Sequence, residues 1–486
     1  MLSIFQKYME FFPFIIIMCS ISFGMFYIIF KRNNLVMFLN SFLGIFLTIY
    51  YLLFFKDKLL HKINFFFHFD KFSIFFSLLI LIIMLITSIF AYFCLDKKKL
   101  YIEEYYILLL LFLLGSISLS FSKQVSLFFI SIEIITLSTI GLVYFFNDNK
   151  KSIEASLKYM IFSSFSSIFM LFGIGIIYFI TGSLKYENLY LIINKFDIYK
   201  QTAVFLGISI ILFSIFFKMS LFPFHFVFPD IYQVSSPLYL MCFSTVNKLS
   251  FFSFLIYFFS STLILKINFF YNLVQIFSLL SILIGNLLAL FQNNVKRLLG
   301  YASISQVGYL MISVLSLNKF EFSIQNIFFY FLNYVICNIC IFGTFAILKS
   351  GYIYREIDNN FFKKNIFSNM FHTYPLLSIS LFIVFFSTAG IPPTVGFLNK
   401  LYILSYAIHN NFWILMFCII FSSIFGTYLY FKIIVSFYNE IKDIKMNRHR
   451  FFFIENILEI FIFIMSTTLL LYNFLFYNFF NKVLFL

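Results

Sequence analysis

Four ionisable residues stand where a chain crossing a lipid bilayer has little reason to place them. Glu133 lies in "FFISIEIITL", Lys218 in "FFKMSLFPFHF", Lys248 in "FSTVNKLSFF" and Lys400 in "GFLNKLYIL", each inside or beside a long apolar run. A charge at the bilayer centre costs about 2.5–3.5 kcal/mol on insertion scales, so such residues persist where they pair, face a polar cavity or exchange protons. One carboxylate among three amines suits proton exchange, because moving the carboxylate toward or away from an amine changes the amine's proton affinity. Asn247 and Asn399 precede two of the lysines and offer side chains that hold water. His225 is a candidate relay between Lys218 and Lys248, with a satisfied packing residue as the alternative. This is the layout of a proton path rather than of a hydrolase, and nothing in it spaces ligands for a metal.

The elements that must position these residues follow from composition. With 62% hydrophobic and only 11% charged residues, the 486-residue chain is too apolar for a soluble fold to cover itself with polar groups. Apolar segments centred near residues 21, 45, 83, 113, 135, 168, 213, 248, 280, 308, 337, 388, 421 and 464 each match the roughly 20 residues of a membrane-spanning helix. The sequence therefore predicts an all-α integral membrane protein of about fourteen transmembrane helices. A net charge of +15 does not imply nucleic acid, since the basic residues are scattered through loops instead of forming a stripe. More of them fall opposite the amino terminus, which expects both termini outside. Cys337 and Cys340 form a single CxxC with no second pair, so packing is a better reading than a cluster or zinc site.

Prolines divide this array. Pro223 interrupts the seventh span, and Pro392 with Pro393 interrupts the twelfth. A proline inside a helix removes a hydrogen bond that lipid cannot replace, so such breaks survive where protein or a wet cavity satisfies the backbone. Each break lies in the fourth span of a five-span block. An odd number of spans reverses orientation, so the blocks are expected to be inverted repeats, with a pathway near the midplane. The expected divisions are 1–100 for spans one to three, 101–262 for the first repeat, 263–440 for the second, and 441–486 for the last helix. Other charges have plainer readings. Glu154 and Lys158 are spaced for a helix-surface ion pair, Glu104 for an interfacial position, and Lys296 and Arg297 read as loop cations.

"EASLKYMIFSSFSSIFMLFGIGIIYFITGS", "FKMSLFPFHFVFPDIY", "VKRLLGYASISQVGYL" and "STAGIPPTVGFLNKLYIL" resemble the antiporter-like membrane chains of respiratory complex I, over roughly residues 100 to 435. The resemblance implies a pumping axis on Glu133, Lys218, Lys248 and Lys400. Lys400, where the chain 4 type carries glutamate, and the lack of room for the chain 5 type's lateral helix leave the chain 2 type. It further implies a subunit of proton-translocating NADH:ubiquinone reductase in the mitochondrial inner membrane, with no redox chemistry of its own. NADH, FMN, iron–sulfur clusters and ubiquinone would be held by partner subunits, and the neighbours would be other complex I membrane chains, antiporter-like ones above all, and lipid. A subunit of an Mrp-like cation/proton antiporter is the alternative. It shares the broken helices, but sodium coupling favours oxygen ligands over three lysines. The chain departs from the family pattern at Gln233, Val234, Asn247, Gly300 and Ala302, none of which removes a charge of the axis.

Overall fold

The computed structural model describes residues 9–55, 67–95, 101–145, 150–186, 198–316, 323–352, 370–438 and 456–470. These residues are almost wholly helical, with two isolated backbone bridges and no extended strand among them. In chain order the main helices are α1 (Phe12–Phe30), α2 (Asn34–Phe54), α3 (Lys71–Cys94), α4 (Ile102–Ser120), α5 (Val125–Phe145), α6 (Lys150–Thr181), α7 (Ile198–Met219) and α8 (Val227–Val234). They continue as α9 (Pro237–Thr262), α10 (Asn268–Leu290), α11 (Val295–Leu315), α12 (Ser323–Tyr352), α13 (Pro375–Ala389), α14 (Val395–His409), α15 (Trp413–Tyr438) and α16 (Asn456–Leu470). Twelve of the described helices are long and apolar enough to cross a membrane, and the shorter apolar α13 and α16 stand where the twelfth and fourteenth spans were expected.

Helix starts follow local chemistry. Asp70 and Ser73 close a capping box at α3, the Ser236 hydroxyl accepts from Tyr239 N at 3.3 Å with Pro237 next in line at α9, and Asn294 Oδ1 accepts from Lys296 N at 3.0 Å at α11.

The chain divides into two compact units, residues 1–219 with 234–270, and residues 220–233 with 271–486. In the first unit α9 is buried along its length and carries Lys248, while α1 and α6 turn large apolar side chains such as Phe26, Ile29, Phe165 and Phe172 outward. Such faces are costly in water and suit lipid or a neighbouring subunit. Gly173 and Gly207 let α6 and α7 approach closely, since a Cβ on Gly173 would stand 2.8 Å from the Gly207 carbonyl. In the second unit Asn286 of α10 donates to Ser422 O at 3.1 Å, and Tyr309 of α11 bonds the Ser422 hydroxyl at 2.6 Å, tying both to α15.

Two sequence expectations meet the structure directly. Glu154 and Lys158 form the expected surface ion pair at 2.6 Å. Lys296 and Arg297 are not loop cations, because both belong to α11: Lys296 is buried, and Arg297 pairs with Asp230 of α8 at 3.3 Å. The Asn294 cap starts the helix one residue before them, which draws both into the packed unit.

Candidate functional site

Lys218 occupies the last turn of α7, immediately before the first break, and is 2% exposed. After it Ser220 takes a left-handed conformation (φ 66°), Phe224 N donates to Leu221 O at 2.8 Å, and the helix resumes only at Val227. The ammonium donates to the Ser163 carbonyl of α6 at 3.3 Å. The same carbonyl accepts the Ser166 hydroxyl at 2.7 Å, and the Ser166 carbonyl accepts the Ser214 hydroxyl of α7 at 2.7 Å. The "SSFSS" stretch thus places two serines three residues apart on the face toward α7, and the glycine contact lower down lets α7 reach their backbone.

Glu133 of α5 lies in the same unit and within electrostatic reach of Lys218, but the two make no ion pair within 4.0 Å. Thr136 Oγ1 donates to Glu133 Oε2 at 3.4 Å, whereas Oε1 is buried with no hydrogen-bond partner among the described residues. Lys248 of α9, next to Asn247 in the chain, lies in the same unit and is 1% exposed.

The second unit holds Lys400. α13 ends at Ala389, and Gly390 turns the chain at φ 79°. The residue four beyond Ala389 is Pro393, which has no N–H to give, so the Ala389 carbonyl is left over from the helix. Lys400 of α14 folds back and donates to it at 2.5 Å, with its ammonium 5.7 Å from the Tyr309 ring centre. Two glycines make room: a Cβ on Gly390 would stand 2.7 Å from Lys400 Cδ, and one on Gly396 would stand 1.7 Å from the Ser387 carbonyl. Lys400 borders a cavity of about 30 Å³ whose polar lining includes Ser303, Gln306, Asn333, Ser387 and Asn399. Ser387 donates to Asn333 Oδ1 at 2.8 Å, and Tyr330 donates to Gln306 Oε1 at 2.8 Å. That volume holds two or three waters at about 10–15 Å³ each.

His225 also lies in the second unit. It is buried against Phe226, at 4.6 Å between ring centres, and Phe222, at 5.3 Å, with Nδ1 3.2 Å from the Pro223 carbonyl. These contacts are those of a packed ring. Cys337 and Cys340 are buried free thiols of α12, turned toward Asn333 Oδ1 (3.5 Å) and the Ile462 carbonyl (3.9 Å).

Sequence reasoning did not single out Ser163, Ser166, Ser214 or the glycines. A small-residue repeat at helical spacing was the available signal. It also passed over His68, a buried ring stacked on Tyr257 at 3.5 Å, where burial and then the Lys123 charge push its pKa down to about 3.

Residues 122–426 match the family described as NADH:quinone oxidoreductase/Mrp antiporter, transmembrane, a segment that contains Glu133, Lys218, His225, Lys248 and Lys400. The chain belongs to that family. Among curated relatives it is 38% identical to NADH-quinone oxidoreductase subunit N of Buchnera aphidicola from Acyrthosiphon pisum, covering 88% of this chain and 87% of that one. The subunit N of Buchnera aphidicola from Schizaphis graminum is 34% identical, over 89% and 88% of the two chains. Solved structures share the fold at lower identity. A chain of respiratory complex I from Thermus thermophilus superposes with TM-score 0.77 at 22% identity, covering 95% of this chain and 98% of that one. A chain of the archaeal membrane-bound sulfane sulfur reductase gives 0.79 at 23%, with 95% and 94% covered. One of the Mrp complex from Dietzia sp. DQ12-45-1b gives 0.77 at 19%, with 90% and 82% covered. The antiporter-like, multi-pass membrane character expected from the motifs is therefore established, and within the family the relatives agree with the complex I type.

Proposed function

We propose that this chain is a proton-translocating subunit of an NADH:quinone oxidoreductase, carrying protons on Glu133, Lys218, Lys248 and Lys400. The observation that carries the reading is Lys218, a buried lysine at a helix break, held by one backbone carbonyl and with Glu133 in electrostatic reach but unpaired. When Glu133 approaches, the ammonium is favoured. When it withdraws, the lysine loses its counter-charge and the proton moves on. Lys248 and Lys400 extend the same chemistry, and His225 is an optional relay. The divisions at 1–100, 101–262, 263–440 and 441–486, with the middle two as inverted repeats, belong to this proposal.

Hydride and electron chemistry would take place in partner subunits that hold NADH, FMN, iron–sulfur clusters and the quinone. This chain would receive only the electrostatic or conformational consequence through neighbouring antiporter-like chains. The named relatives are bacterial, which favours a bacterial coupling membrane over the mitochondrial inner membrane that the resemblance implied. Their names also favour the oxidoreductase over an Mrp-like cation/proton antiporter, whose fold is shared.

The test is Lys218→Met in the assembled complex, reconstituted in vesicles. Proton pumping and coupled quinone reduction should both fall well below wild type while the complex stays intact, and Glu133→Gln should act in the same direction. Undiminished pumping would rule the assignment out.

A further inference from the structure

The cavity at Lys400 has a neighbour. A second space of about 230 Å³, with volume for several waters, lies between the C-terminal ends of α11 and α14 and the start of α12; Ile312, Ile327 and Ile403 border it together with Ser316, Asn326 and Ser405. Two residues border both spaces, Tyr330 and Asn399. The Tyr330 hydroxyl is committed to Gln306. Asn399 is 2% exposed, and neither its amide oxygen nor its amide nitrogen has a hydrogen-bond partner among the described residues. A buried amide left unsatisfied costs about 1–3 kcal/mol, and in native proteins such a group is normally met by ordered water. Here it stands beside a lysine and between two spaces with room for water.

We propose that Asn399 is the water-holding gate between the Lys400 cavity and this second cavity. The amide both donates and accepts, so it can hold a water on either side and carry a hydrogen-bonded chain through the constriction. An apolar side chain of the same width would leave the spaces separated by a dry plug. The position adjacent to Lys400 in sequence is what couples the two: α14 turns about 100° per residue, so residue 399 borders both spaces while residue 400 reaches back to Ala389. Asn399 is a positioning residue that acts through water on the traffic of Lys400. The proposal rests on the reading of Lys400 as a proton carrier.

The experiment compares Asn399→Thr with Asn399→Val in the assembled complex in vesicles, measuring protons moved per electron, with Lys400→Met as reference. Threonine and valine share a shape and differ by a hydroxyl. The expected result is a ratio near wild type for threonine and a fall to the Lys400→Met level for valine, with no further fall in the Asn399→Val/Lys400→Met double variant. A valine variant that pumps at the wild-type ratio, or equal losses for threonine and valine, would overturn the gate while leaving the Lys400 reading standing. A Lys400→Met complex with an undiminished ratio would overturn that reading and the gate with it. Where the valine variant does not assemble, Asn399→Leu against Asn399→Ser makes the same comparison.

Discussion

The two helix breaks use one backbone device to hold their lysines in different ways. In each, the chain leaves the helix through a left-handed residue, Ser220 (φ 66°) or Gly390 (φ 79°), and a proline stands four residues after the helix end, Pro223 after Met219 and Pro393 after Ala389. Each proline withholds the N–H that the last helical carbonyl would have accepted. After the first break the chain resumes as the eight-residue α8; after the second it resumes as the fifteen-residue α14. Lys218 precedes its break and reaches sideways to a carbonyl of α6, whereas Lys400 follows its break and takes the carbonyl that the break released. A broken helix therefore leaves an acceptor unused, and the lysine's position in the chain decides whether it takes that acceptor or one on a neighbouring helix.

The largest effect is expected at Gly396. A methyl group there would stand 1.7 Å from the Ser387 carbonyl, a backbone atom that cannot swing aside. Gly396→Ala should cost stability at or above the top of the ~1–3 kcal/mol range for overpacking. Reduced recovery of assembled complex and a lower Tm are the expected outcome, and a wild-type melting curve would show that α13 and α14 do not cross as described.

Replacing the prolines sharpens the difference between the lysines. Pro393→Ala gives the Ala389 carbonyl an N–H that competes with Lys400, so the ratio of protons to electrons should fall toward that of Lys400→Met. Pro223→Ala should disturb Lys218 less, because its acceptor is Ser163 on another helix. Equal effects in vesicle pumping assays would mean that both lysines depend on their break in the same way.

The smallest effects concern the left-handed residues. Gly390→Ala forces a side chain into that region at about 1–2 kcal/mol and crowds the Lys400 stem, so a drop in Tm of the purified complex is expected. Ser220→Gly removes the corresponding penalty at the first break while adding about 0.5–1 kcal/mol of unfolded-state entropy, so Tm should be unchanged or slightly raised. A clear loss from Ser220→Gly would show that the Ser220 side chain contributes more than its backbone.

The sequence by itself determined the class, the number and placing of the apolar helices, the two breaks and the charged residues beside them. Lipid leaves little freedom there: about 20 apolar residues make a span, and a proline or a lysine within one must be accommodated by protein. Periodicity could not say which acceptor each lysine would find. The carbonyl of Ser163 became one through the close approach of Gly173 and Gly207, and the carbonyl of Ala389 through the turn at Gly390 that folds α14 back over α13. The burial of Lys296 and the pairing of Arg297 with Asp230 were likewise hidden, because a cation at the start of a helix looks the same in sequence whether it meets water or a partner sixty-seven residues away. The two cavities meeting at Asn399 belong entirely to tertiary structure, since a space is defined by what several helices leave unfilled, and no single helix encodes it.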